Sequence, residues 1–246
     1  MFRNKRGQVT LFIIIAIIIV AAVILSIFAY RNNQQKKALT AKEFLPVEQA
    51  MQDCTKETAE DALILAGFQG GYTLTPTANS LETDFADISY FFYEGRSTAP
   101  SIETIKQELE GFVNETLPAC LESLNLNQFG LSYEEPKTDV TISNEAVLFD
   151  VSWPVTAKKA GATVEFEKSS AQLNVRLNDI YNTALDLANK TGSRNMIPLT
   201  NTLKTDFNVT MATYDSNTLI YMISDSNSSV KDEPYNFWFA IKFKYD

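Results

Sequence analysis

The chain has 246 residues, with 21 Lys+Arg against 30 Asp+Glu for a net charge of −9, and it contains no histidine. The acidic balance argues against nucleic acid and anionic lipid as partners. The lack of histidine removes the commonest general base, the commonest zinc ligand, and the Ser-His and Cys-His pairs of nucleophilic catalysis.

The N-terminus reads in three pieces. Residues 1–7 hold Arg3, Lys5 and Arg6 and form a short basic tail or leader. Residues 8–30 follow as an expected transmembrane helix: from Leu11 to Tyr30 the only polar groups are Ser26 and the Tyr30 hydroxyl, and twenty residues of helix span roughly 30 Å. That run is too long for a secretory signal, and "RNNQQKKALTAKEF" after it offers no clear cleavage site. Residues 31–45 continue as a helical stalk until Pro46, where a break is expected. Basic residues flank the span on both sides, so charge bias leaves orientation nearly balanced. Beyond residue 7 the chain carries 18 Lys+Arg against 30 Asp+Glu. An acidic C-terminal domain, four N-x-Ser/Thr acceptors (Asn114, Asn189, Asn208, Asn227) and an even cysteine count favour placing that domain outside a cell membrane that the chain crosses once. Used acceptors would make it a glycoprotein.

The stretch "KRGQVTLFIII", a basic pair, Gly7, and Gln8 opening a long apolar helix, resembles the class III signal of archaeal type IV pilins and archaellins. The resemblance implies cleavage between Gly7 and Gln8 and retention of the apolar helix for self-assembly into a filament. It departs from the commoner pattern at the fifth mature residue, which is Phe12 rather than Glu. More of the chain, including "CTKETAEDALILAGFQGGY" and "ISYFFYEGRSTAPSIETIKQELEGFVNETLPACLESL", resembles a family of single-span proteins of small-genome archaea without an established activity. That resemblance implies a membrane-anchored surface protein of α+β build.

Beyond the stalk the pattern predicts an α+β fold, a helical half (46–128) followed by a mainly antiparallel sheet (129–246). Val47, Met51, Cys54, Thr58, Ala62 and Leu65 recur at three or four and mark a helix over about 47–66, stopped by Gly67 and Gly70-Gly71. Ser101 is an N-cap for a second helix with the stripe Ile102, Ile105, Leu109, Phe112 or Val113, Leu117, Cys120 and Leu124, and Pro118 predicts a kink or restart near Glu115. "TDVTIS", "AVLFDVSWPVTA" and "ATVEFEKSSAQLNVRL" read as strands, and 179–189 as a helix ended by Thr191-Gly192-Ser193. "FNVTMATY", "TLIYMIS" and "NFWFAIKFKY" are the last strands, the final two separated by a loop, "DSNSSVKDEPYN". Five or six antiparallel strands with helices on one face are expected.

Cys54 and Cys120 each face a helical core stripe, so they are either a disulfide across 66 residues or two buried free thiols. "GFQGGY" lacks the spacing and lysine of a phosphate loop, and neither a calcium loop nor any other metal or cofactor site is evident. Glu57, Glu60 and Asp61, or Glu108 and Glu110, are acid pairs at exposed helical spacing, better read as solvated faces than as catalytic carboxylates. Tyr90, Phe91, Phe92 and Tyr93 beside Arg96 are either core or a recognition surface for a protein or glycan. The resulting expectation is a non-enzymatic, membrane-anchored cell-surface protein that binds through an acidic extracytoplasmic domain. A pilin-like filament subunit processed after Gly7 is the alternative.

Overall fold

A computed structural model of the chain describes residues 6–74, 79–194 and 205–244. The basic residues Arg3 and Lys5 of the tail, and Tyr245 of the expected last strand, lie outside them. Three helices and ten strands follow in chain order.

Helix α1 runs unbroken from Arg6 to Phe68, 63 residues with Pro46 inside it. The expected break at Pro46 is therefore corrected. Proline removes one N–H from the helix ladder, but Phe44 and Val47 on either side are fully buried and hold the backbone in register. The expected transmembrane helix over 8–30 is also corrected, and with it the single-pass signal-anchor reading. Among the described residues no helix is long and apolar enough to cross a membrane. Between Ile19 and Ile27 the described side chains of α1 are apolar apart from Ser26. Within this stretch Ile19, Val20, Val23, Ile24, Leu25 and Ile27 are all exposed, so α1 stands clear of the head here.

From Phe44 onwards α1 enters the head. Val47, Met51, Cys54, Thr58 and Ala62 are buried, the spacing that the periodicity anticipates, but the stripe then passes to Leu63 and Ala66 and leaves the expected Leu65 half-buried. Gly67 ends the buried stripe against strand β10 (Glu233–Lys242): a Cβ there would lie 2.3 Å from the Asn236 carbonyl oxygen. Gly70 and Gly71 follow with φ of 65° and 100°, and the Gly71 N–H closes the helix end on the Ala66 carbonyl at 2.6 Å.

Helix α2 (Ile102–Ser123) is capped by Ser101, whose hydroxyl accepts from the Thr104 N–H at 3.0 Å. It continues through Pro118 without the expected restart, buried along Ile105, Leu109, Val113, Leu117 and Leu121. Helix α3 (Leu177–Arg194) is longer at both ends than the predicted 179–189. Gly192 does not terminate it. A Cβ at Gly192 would sit 2.3 Å from the Phe92 ring, so the glycine lets α3 lie directly on the sheet.

The mainly antiparallel sheet is corrected to two sheets, one of them mixed. The larger has the order β1-β2-β10-β9-β8, built from β1 (Ser80–Glu82), β2 (Asp87–Tyr93), β10, β9 (Thr218–Val230) and β8 (Asn208–Asp215), with β3 (Arg96–Ser97) on β2. Strand β2 pairs with β10 in parallel, and the other pairs of this sheet are antiparallel. This pairing joins residues of the expected helical half to the end of the chain. The smaller sheet is organised by β6 (Val147–Lys159), with β7 (Ala162–Leu173) along its length. Strands β4 (Gly130–Tyr133) and β5 (Lys137–Ile142) take later and earlier parts of β6, so both share its other edge. The stretch 225–236, expected as a loop, is instead the end of a hairpin. Lys231 and Asp232 turn with φ of 51° and 65°, and a register shift near Pro234 absorbs the extra residues.

One buried core runs through the helices and both sheets. Where β7 hands over to α3, the Arg176 guanidinium grips the fully buried Asp225 carboxylate of β9 through Nε at 2.9 Å and a terminal nitrogen at 2.7 Å. The same carboxylate accepts from Ser228 at 2.5 Å and from the Asn227 N–H at 3.0 Å. Burial alone would raise its pKa, but Arg176 and these two donors outweigh it and hold the group below the ordinary carboxylate range.

Replacing Gly192 with Ala should cost about 1–3 kcal/mol in urea unfolding, since neither the Phe92 ring nor the helix backbone has room to yield. Because folding depresses the Asp225 pKa, its stabilisation is complete above the usual carboxylate value of about 4 and is lost as pH falls through the lower folded value. Asp225→Asn should therefore lower stability by on the order of 3 kcal/mol at pH 7. Unfolding midpoints followed from pH 6 to pH 2 should show the gap to wild type narrowing only at the acid end.

Candidate functional site

The aromatic run lies on β2, where both faces are covered. Phe91 points into the main core, its ring centroid 4.9 Å from that of Phe239 and 5.9 Å from that of Phe237. Phe92 packs on α3 at Gly192. Tyr90 points the other way into a small second cluster with Leu81, Ile88 and Ala240. Tyr93 is half-buried beneath the Lys242 ammonium, 5.2 Å from the ring centre, and Arg96 is exposed. The run is thus core on three of its four rings, because the main core takes Phe91, α3 covers Phe92, and Tyr90 packs with Leu81 of β1.

The carboxylate pairs are engaged in the frame. Glu108 accepts from the Thr73 N–H and hydroxyl, both at 3.1 Å, and Glu110 accepts from the Val140 N–H at 2.9 Å. Asp61 pairs with Lys231 at 2.6 Å and Glu60 with Lys56 at 3.7 Å. Among the described residues no group of three or more Cys, Asp or Glu could hold a metal ion.

Cys54 of α1 and Cys120 of α2 form a disulfide, with Cα atoms 5.7 Å apart. The four acceptor asparagines differ in setting. The Asn114 carboxamide oxygen is occupied by the Thr138 N–H at 2.9 Å and its hydroxyl at 2.8 Å, whereas Asn189, Asn208 and Asn227 are exposed. The hydroxyl of Thr191, which completes the Asn189 acceptor, is buried against Tyr221 at 3.2 Å.

A feature that sequence reasoning missed lies on the face of the larger sheet turned away from the helices. Ile220 and Met222 of β9, Trp238 of β10 and Ala212 and Tyr214 of β8 floor a trough of about 640 Å³, walled by the β1–β2 turn. Phe85 at the tip of that turn is 91% exposed. It is nonetheless held in place. The Thr83 hydroxyl accepts from the N–H groups of Phe85 at 3.3 Å and Ala86 at 3.1 Å and donates to the Ala86 carbonyl at 2.7 Å. Glu82 and Asp84 lie on the rim, and none of the lining residues is basic. The sequence signal was in β9: a strand with one solvated face should alternate apolar with polar, yet "TLIYMIS" is apolar on both.

Replacing Cys54 and Cys120 together with Ala should lower stability by roughly 4 kcal/mol in the chain-entropy account of a 66-residue closure, read as a shift of the urea midpoint against the unreduced wild type. A scan against protein-family models, a search of curated proteins and a search of solved structures each give no match for this chain.

Proposed function

We propose that this chain is a non-enzymatic interaction protein that displays an acidic, disulfide-stapled head outside the cytoplasm on a helical stem. The observation that carries the reading is the Cys54–Cys120 bridge, which belongs in an oxidising compartment. The net charge of −9 keeps such a head soluble and steers cationic partners towards it. Of the acids weighed for catalysis, Glu60 and Asp61 serve as ion-pair partners and Glu108 and Glu110 as acceptors of backbone N–H groups, which supports binding over chemistry as the task.

A second reading is favoured by one further observation. Helix α1 is continuous from Arg6 into the head, and its apolar side chains between Ile19 and Ile27 are uncovered, the form a filament subunit would take after cleavage between Gly7 and Gln8.

One preparation tests both. The native chain is isolated under acid quench, alkylated without reductant and analysed by mass spectrometry. Display outside the cytoplasm expects Cys54 and Cys120 unalkylated and bridged; labelling of both thiols would sink it. An N-terminal peptide starting at Gln8 would move the conclusion to the filament subunit, while a start at Met1 or Phe2 would exclude it.

A further inference from the structure

We infer that the trough on the outer face of the larger sheet is a docking site for a cationic, apolar-anchored peptide segment of a partner protein. The inference rests on the display reading above and names the partner class that such a head would take.

Three observations lead there. Phe85 is a large ring almost wholly in water, yet its turn is fixed by the Thr83 hydrogen bonds, so presenting it to a partner costs little further ordering. A ring held out this way is unfavourable for a free surface and suits an anchor that a partner covers. The floor beneath it, Ile220 and Met222 with the half-buried Trp238, offers dispersion contacts to aliphatic and aromatic side chains. That floor has no hydrogen-bonding side chain except the Trp238 indole and the Tyr214 hydroxyl, a poor match to the many hydroxyls of a glycan. Finally, Glu82 and Asp84 stand on the rim without a basic lining residue, so Lys or Arg beside the apolar anchor completes the charge. The Tyr214 hydroxyl reaches the Glu82 carbonyl at 3.5 Å, which ties the wall of the trough to the edge strand β8.

The chain carries its own reporter. It has two tryptophans; Trp153 is fully buried in the smaller sheet, and Trp238 lines the trough. The full-length chain is titrated with a synthetic dodecapeptide of alternating Lys and Leu and with its Glu-Leu counterpart, following tryptophan emission and the anisotropy of labelled peptide. The expected result is saturable binding of the Lys-Leu peptide with a change in Trp238 emission, at least tenfold weaker for Glu-Leu. Phe85→Ser and Asp84→Lys, both at exposed positions, should each weaken binding at least tenfold, and Asp186→Lys on the remote surface of α3 should leave it unchanged. Equal response to both peptides, or binding indifferent to Phe85→Ser, overturns the assignment. Self-association of the wild-type chain that Phe85→Ser abolishes also overturns it, giving the trough to a second copy. A chain that is bridged and unprocessed in the native preparation but binds neither peptide would overturn this inference alone and leave display intact.

Discussion

The buried stretch of α1 between Phe44 and Gly67 is the element on which both sheets rest. On one side the Thr55 hydroxyl meets Ser169 of β7 at 2.6 Å, and on another the Cys54–Cys120 bridge binds it to α2. At its end Gly67 allows β10 to approach within backbone contact, while the buried Tyr235 hydroxyl of β10 donates to the Leu63 carbonyl at 3.2 Å. Each contact requires a small group or a matched donor at a set turn of the helix. The apolar stripe supplies burial, and these few positions determine the rotation and height at which it seats.

The larger sheet shows how such a frame produces a usable surface. Its inner face is spent on the core: Phe237, Phe239 and Ile241 are fully buried. On its outer face α1 reaches only Trp238, through the Phe68 ring at 5.2 Å, and β1 covers the end nearest β2, through Leu81 with Ile88 and Tyr90. What remains uncovered is the part of β9, β10 and β8 that forms the trough floor. The surface is therefore a by-product of a short β1, and the three-residue strand sets how much of the sheet is left open.

Much of the helical pattern was legible because burial repeats every three or four residues in α1 and α2, and in the final strand Phe237, Phe239 and Ile241 fall at every second position on the buried face. The two cysteines were legible for the same reason, as members of stripes on packed helices. What local pattern does not encode is which strands meet. The parallel pairing of β2 with β10 depends on residues some 150 positions apart, and the aromatic run at 90–93 has meaning only once that neighbour and α3 are in place. Pro46 read as a break and Pro118 as a kink or restart because propensity is local, whereas buried neighbours outweigh one missing hydrogen bond. Gly192 read as a terminator for the same reason, although its role is clearance for Phe92. In 225–236 the polar residues suggested a loop, but Asp225 and Ser228 are polar in order to hold Arg176 inside the fold.

The bridge between Cys54 and Cys120 also determines how the head bears load. Tension applied through the stem arrives lengthwise along α1, in the middle of the core and not at a peripheral strand. At Cys54 the covalent path divides, one branch following the chain and the other crossing directly to Cys120. A pull between the stem and the C-terminal strands therefore bypasses the chain from Thr55 to Ala119, which includes β2, the strand that pairs with β10. Stretching can peel the first buried turns of α1, from Phe44 to Asp53, while the chain from Thr55 to Ala119 cannot be drawn out as long as the bridge holds. The staple acts as a strain relief, separating the N-terminal part of α1 from the trough on the larger sheet.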